Sequence, residues 1–228
     1  MVQATLSWYA LFLTAAILAA AYLVGSLSPS YLVVRKAIGR DIRQMGDGNA
    51  GAENVSRVLG LKTGVLVGAI DILKGLVVVL LARNLAPSIQ ADGPLGLMAS
   101  GETFRHALML LAGAGAVIGH SWSIYLRGPG GRGAATAVGA LVCLAPLPSL
   151  LVTLPSLGLM FLNRSPTWGL ASFFIGCVGM VAVLGYFGLF GYSWHWIAYT
   201  ATLPALVGLI HLRSMKRPLA RAARLNGD

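Results

Sequence analysis

Charge is what this sequence has least of. Only 11% of its 228 residues are Asp, Glu, Lys or Arg, and just seven of these are acids; soluble domains carry about 25%. A chain of this length that folded in water would need polar side chains it does not have to cover its core. That excludes a soluble enzyme and a disordered chain. Cysteine is nearly absent too: Cys143 and Cys177 both lie in apolar stretches. They exclude a disulfide scaffold and a thiolate metal site and read as small core residues. A Walker GxxxxGK[ST] loop is missing, and no predicted strand precedes the Gly-rich segment described below.

What the chain does have is apolar sequence, with 57% hydrophobic residues and a mean hydropathy of +0.76. The first uncharged run, Trp8 to Val34, is 27 residues long. At about 1.5 Å per residue it exceeds a hydrocarbon core of about 30 Å. No Lys or Arg precedes it, so it lacks the basic flank of a cleaved signal peptide. Pro146 and Pro148 predict a break between the fourth and fifth apolar segments. The reading is an all-α, polytopic integral membrane helix bundle, one domain over 1–228, with seven spans at about 8–34, 63–81, 107–126, 134–145, 147–162, 168–190 and 196–212. Trp8, Trp168, Tyr192, Trp194 and Trp196 fall near span ends and read as interfacial anchors.

The formal net charge is +10. With seven spans, 14 of the 17 basic residues fall in the segments 35–62, 127–133, 163–167 and the tail from 213. The positive-inside rule makes that face cytoplasmic, with the N-terminus outside and the C-terminus inside. The basic balance therefore does not point to nucleic acid. Asp71 and Lys74, at i and i+3 in the second span, read either as an ion pair that orients that helix or as part of the catalytic machinery.

Polar motifs gather on the same face. The first loop, Gly46 to Gly60, sets Asn49, Asn54 and Arg57 among glycines; such backbone can come close to a ligand and offer N–H groups to an anion. Gly119 to Thr136 ends a span with His120 and opens the next through Gly128, Gly130, Gly131, Arg132 and Gly133. A Gly-rich loop entering a helix N-terminus suits phosphate, and Arg132 would supply the counter-charge.

Together these two segments resemble the motifs of the bacterial acyl-phosphate-dependent glycerol-3-phosphate acyltransferases, the PlsY family. A third, weaker likeness lies at His211, Ser214, Lys216 and Arg217. The resemblance implies a membrane enzyme that moves a fatty acyl group from acyl phosphate to glycerol 3-phosphate, giving lysophosphatidate and phosphate for phospholipid synthesis, on the cytoplasmic side of the bacterial inner membrane. It implies neither cofactor nor metal. Matched residue by residue, His120, His211 and Arg57 are the catalytic candidates; Asp47, Asn49, Asn54, Gly128, Gly130, Gly131, Arg132, Gly133, Arg164, Thr167, Ser214 and Arg217 are the substrate-binding candidates. A neutral histidine could accept the hydroxyl proton, and so could a substrate phosphate.

Several positions depart from the family pattern. Asp47 stands for its serine, Glu53 for its threonine, Pro129 and Arg132 for its two lysines, Thr167 for a serine and Ser214 for its asparagine. A carboxylate 4 Å from a bound phosphate is repelled by about 4 kcal/mol at an effective dielectric near 20. Three resolutions follow: Asp47 or Glu53 pairs with Arg57, Arg132 or Arg164; the acceptor has changed; or the chain is a diverged paralogue without the activity. A carrier of a phosphorylated metabolite is the alternative of a different class, although the polar motifs all lie on one face and not at a midplane site.

Overall fold

Apolar runs this long can satisfy their backbone in a membrane only as helices. The computed structural model describes the backbone of residues 2–90, 101–193 and 195–225 and the side chains of 8–86, 102–193 and 196–214. The described part is helical: α1 (Val2–Ser26), α2 (Pro29–Ile38), α3 (Ala52–Leu59), α4 (Leu61–Gln90), α5 (Gly101–Ser121), α6 (Ala134–Leu144), α7 (Pro146–Leu162), α8 (Pro166–Tyr186) and α9 (His195–Leu225). The one strand pairing among the described residues is a two-residue antiparallel ladder, β1 (Trp122–Ser123) on β2 (Gly128–Pro129). Three described stretches are long and apolar enough to cross a membrane: Trp8–Ile38, Leu61–Ala86 and Pro166–Tyr186. Trp194 lies outside the described residues, while Trp8 and Trp168 are exposed.

Several expected spans differ: α4 runs past 81 to Gln90, α8 stops at Tyr186 instead of 190, and α9 runs past 212 to Leu225. The run 8–34 is broken between α1 and α2, because Pro29 has no N–H to continue the ladder and Ser28, in extended backbone, caps the new helix. The Tyr31 N–H goes to Ser28 Oγ at 3.4 Å, which frees Leu27 O, and Lys74 Nζ donates to that carbonyl at 2.9 Å. The third run ends at Ser121 instead of 126, since Trp122 to Pro129 turn back as the short ladder. The break at Pro146 falls where expected: Ala145, with φ −134°, separates α6 from α7.

Small residues set the helix crossings. Gly75 in α4 lies on Thr136 O of α6, and Gly139 in α6 lies on Ile72 O of α4; a Cβ at either would collide with the carbonyl. Gly25 and Gly119 do the same between α1 and α5. Backbones this close pack a membrane bundle without large side chains. The core is accordingly rich in alanine and valine, with Ala112, Ala116, Val117, Ala137 and Ala140 fully buried.

The first loop is tied down by polar contacts. Asp41 grips Arg43 through two oxygens, and Arg43 Nη1 donates to Leu126 O at 3.1 Å, joining this loop to the β1–β2 turn. The Arg43 guanidinium holds the Asp41 carboxyl below the usual carboxylate range. Ser30 Oγ donates to Ala50 O at 2.8 Å and Ser123 Oγ to Ser26 O at 2.6 Å, so both loops hang on the α1–α2 break.

Candidate active site

Three connections and the middle of α9 converge on one cavity of about 300 Å³. Its polar end is formed by Asn49 and Glu53 of the first loop, His120 at the end of α5, Arg132 and Gly133 before α6, Thr167 at the start of α8, and His211 of α9. Leu170, Phe174, Pro204 and Val207 of α8 and α9 supply an apolar wall. Six of the residues expected at the site are therefore brought together: His120, His211, Asn49, Arg132, Gly133 and Thr167.

The N-terminus of α6 opens into this cavity. Its cap, Gly133, is left-handed at φ 79° and has no side chain to accept from the first N–H groups. Gly133, Ala134 and Ala135 all lie on the wall, so uncapped donors and the positive end of the helix dipole face the space. Arg132 adds a full charge. Its Nε is buried without a hydrogen-bond partner among the described residues, and its Nη2 lies 3.5 Å from Asp47 Oδ2. A buried guanidinium N–H left unmade is costly, and an anion's oxygen would satisfy it.

The acids at the departed positions are paired. Asp47 Oδ2 also lies 3.4 Å from Arg57 Nη1, and Arg57 Nη2 contacts Glu53 Oε1 at i and i+4. Of the three resolutions above, the structure shows the first for Arg57 and Arg132; Arg164 takes no part in it. Arg57 is exposed and sits outside the cavity wall, so each pair is worth at most about 1 kcal/mol.

Other expected residues do different work. Asn54 is fully buried and turned inward: its amide donates to Ile42 O, Met45 O and Asn49 O at 3.3, 2.9 and 3.0 Å, and its oxygen accepts from the Asp47 N–H at 3.4 Å. It holds the loop's shape. Gly46, at φ 55°, packs so tightly on it that a Cβ would collide with Asn54 Oδ1. The N–H groups of Gly130 and Gly131, expected to cradle phosphate, donate to Ser121 O and His120 O at 2.9 and 3.0 Å. These glycines serve instead as flat backbone beneath His120. Gly128 and Arg164 are not on the cavity wall, and Ser214 Oγ donates back to His211 O at 2.7 Å. The side chain of Arg217 lies outside the described residues.

The i, i+3 spacing predicts the pairing of Asp71 with Lys74 but not their connection to His120. Lys74 Nζ lies 2.9 Å from Asp71 Oδ1 and 2.7 Å from His120 Nδ1, and all three side chains are buried. The separation of 46 positions between Lys74 and His120 hides the contact from any local pattern.

The profile of the family described as Glycerol-3-phosphate acyltransferase matches residues 15–221. A Glycerol-3-phosphate acyltransferase of Halalkalibacterium halodurans is 37% identical over 199 residues, covering 87% of this chain and 88% of the relative. Glycerol-3-phosphate acyltransferase 2 of Moorella thermoacetica is 35% identical over 212 residues, covering 92% and 96%. Among solved structures, the crystal structure of PlsY (YgiH), an integral membrane glycerol 3-phosphate acyltransferase, is similar in its glycerol 3-phosphate form. It has a TM-score of 0.67 at 29% identity over 93% of this chain and 92% of that one. Its lysophosphatidic acid form gives 0.65 at 27% identity.

Proposed function

The chain belongs to the glycerol-3-phosphate acyltransferase family, and from that premise we propose that it transfers a fatty acyl group from acyl phosphate to the 1-hydroxyl of glycerol 3-phosphate. It is a helical integral membrane enzyme of phospholipid synthesis. In the reaction the hydroxyl oxygen forms an ester bond to the acyl carbon. The bond from that carbon to the phosphate oxygen breaks with its electron pair on the phosphate, and the hydroxyl proton leaves with it. Lysophosphatidate and hydrogen phosphate result. Acyl phosphate is already activated, so no acyl-enzyme is needed. The protein's part is to hold two anions together and aim the hydroxyl.

Arg132 carries this reading: its buried Nε, unpartnered among the described residues, stands beside the uncapped start of α6 in a cavity that His120 and His211 also line. Phosphoryl oxygens would lie at that end, with Asn49 and Thr167 as further donors and Arg57 at the rim. The acyl chain would run along Leu170, Phe174 and Val207. Asp47 fits by bridging Arg57 and Arg132, which supports the ordinary substrates over a changed acceptor.

Seven crossings, an outside N-terminus and a cytoplasmic site in the bacterial inner membrane complete the proposal. The clustering of basic residues in the segments that surround the cavity supports it. The test is the purified protein in lipid nanodiscs with acyl phosphate and glycerol 3-phosphate. Lysophosphatidate and phosphate should form in equal amounts, and Arg132→Met should lower kcat/KM by about a hundredfold or more. No turnover by the wild-type chain overturns the activity. For sidedness, a cysteine placed at Pro129 should be labelled from the cytoplasmic side only; the native Cys143 and Cys177 are buried and give little background.

A further inference from the structure

The buried group behind His120 decides what that histidine can do. Lys74 Nζ donates to Leu27 O at 2.9 Å, meets His120 Nδ1 at 2.7 Å and pairs by charge with Asp71 Oδ1 at 2.9 Å, an oxygen that receives no hydrogen bond among the described residues. An ammonium has three N–H groups and no lone pair. Leu27 O is available only because the chain breaks at Ser28 and Pro29, and Asp71, buried in the bundle, needs a cation beside it. Lys74 is nearer to it than His120 is, at 2.9 against 3.4 Å. Because the ammonium can only donate, His120 Nδ1 is the acceptor in the 2.7 Å contact, and the neutral ring carries its proton on Nε2.

Nε2 has no protein hydrogen-bond partner among the described residues, and His120 lines the cavity. Gly131 lies against that nitrogen so closely that a Cβ would collide with it. The ring is thus fixed at Nδ1 by Lys74 and steered at Nε2 by backbone.

We propose that Lys74 is a positioning residue that locks His120 in the Nε2–H tautomer, so that His120 meets the substrate as a hydrogen-bond donor and not as the base that removes the hydroxyl proton. Its N–H is directed at an oxygen that gains charge during acyl transfer, on the acyl carbonyl or on the departing phosphate. Asp71 acts one step further back, holding Lys74 charged in the apolar bundle. His120 neither gains nor loses a proton in the reaction. This inference rests on the acyl-transfer reading for the identity of the oxygen, but the tautomer is independent of it.

The test reads the ring directly. The protein is prepared with nitrogen-15 histidine in nanodiscs without substrate, and the His120 signals are assigned by their loss in His120→Gln. The expected spectrum shows a bare Nδ1 and a protonated Nε2. A protonated Nδ1 overturns the proposal. Lys74→Met should abolish the single tautomer; an unchanged His120 pattern in that variant overturns it as well. Because Lys74→Met leaves Asp71 unpaired and can unfold the chain, the double variant Asp71→Asn with Lys74→Met, which removes both charges, carries the same expectation. In turnover, His120→Ala should lower kcat by about a hundred- to a thousandfold, the range for losing one preorganised donor. His120→Gln, whose amide N–H can reach the Nε2 position, should recover part of that loss, whereas His120→Asn should not. A folded His120→Gln no better than His120→Ala overturns the donor role. An inactive wild type with the expected ring pattern would sink the acyl-transfer reading and leave Lys74's positioning of the ring standing.

Discussion

Gly131 lies so close to Nε2 of His120 that a Cβ on it would collide with the ring and with Ala50 O. The glycines of this loop are therefore required by what sits above them, because their N–H groups are already committed to α5 carbonyls. Gly131→Ala should push the imidazole out of line and lower kcat at least tenfold, with a cost in stability of about 1–3 kcal/mol from overpacking. Gly158 in α7 has open space around its missing Cβ, and Gly158→Ala is the control. It should leave kcat unchanged and keep or raise the midpoint of thermal unfolding. Equal kinetics for the two variants would remove the steric account of the loop.

Hydropathy alone located most of the bundle. The apolar runs anticipated α4 and α6 to α9, and the proline pair anticipated the α6–α7 break, because lipid leaves such runs no alternative to helix. It could not see the break at Leu27, where apolar composition continues unbroken through a backbone change made by Ser28 and Pro29. Nor could it stop α5 at Ser121, since Trp122, Ile124 and Tyr125 are as apolar in a turn as in a helix. The site was legible where chemistry is local: His120, the loop into α6, Arg132. It was illegible where one residue type has two uses. Asn54 among glycines looks like a ligand donor, but its hydrogen-bonding capacity is spent on the loop's own carbonyls. Lys74 looked like half of an ion pair until the fold put His120 beside it.

Asn54 provides a test of loop shape against ligand contact. It joins Ile42, Met45 and Asn49 and takes the Asp47 N–H. Asn54→Asp replaces a donor to three carbonyls with an acceptor, leaving buried polar groups unmet at about 1–3 kcal/mol each. The midpoint of thermal unfolding should fall markedly, and turnover should fall with it. A variant of normal stability that has lost only its affinity for glycerol 3-phosphate would return Asn54 to the list of ligand contacts.

Asp47 bridges Arg57 and Arg132 from a position only partly shielded from solvent. Its carboxylate offsets the charge that a phosphate would meet. Asp47→Ser removes that offset and leaves a hydroxyl donor, so KM for glycerol 3-phosphate should fall by roughly tenfold. This discounts the full Coulomb figure for solvent. The gain should shrink as salt is raised from about 0.01 to 0.15 M. A rise in KM would show instead that Asp47 holds the two arginines in place.

The Asp41 to Arg43 clasp gives the fold a pH dependence of known sign. The Arg43 partner lowers the Asp41 carboxyl pKa in the folded chain, so unfolding at neutral pH releases no proton from it, and its contribution is present above the unfolded carboxylate value of about 3.9. It is lost as the pH falls through the lower, folded value. Asp41→Asn should therefore unfold at a lower temperature than wild type at pH 7, by up to about 1 kcal/mol in stability. The two melting curves should stay apart down to about pH 4 and converge as the pH is taken further down through the folded value. Arg43 also reaches Leu126 O, so the variant should loosen the β1–β2 turn, read as faster amide exchange at Leu126 and its neighbours. Melting curves that stay equally far apart at low pH would mean that the carboxylate's charge is not what holds this loop.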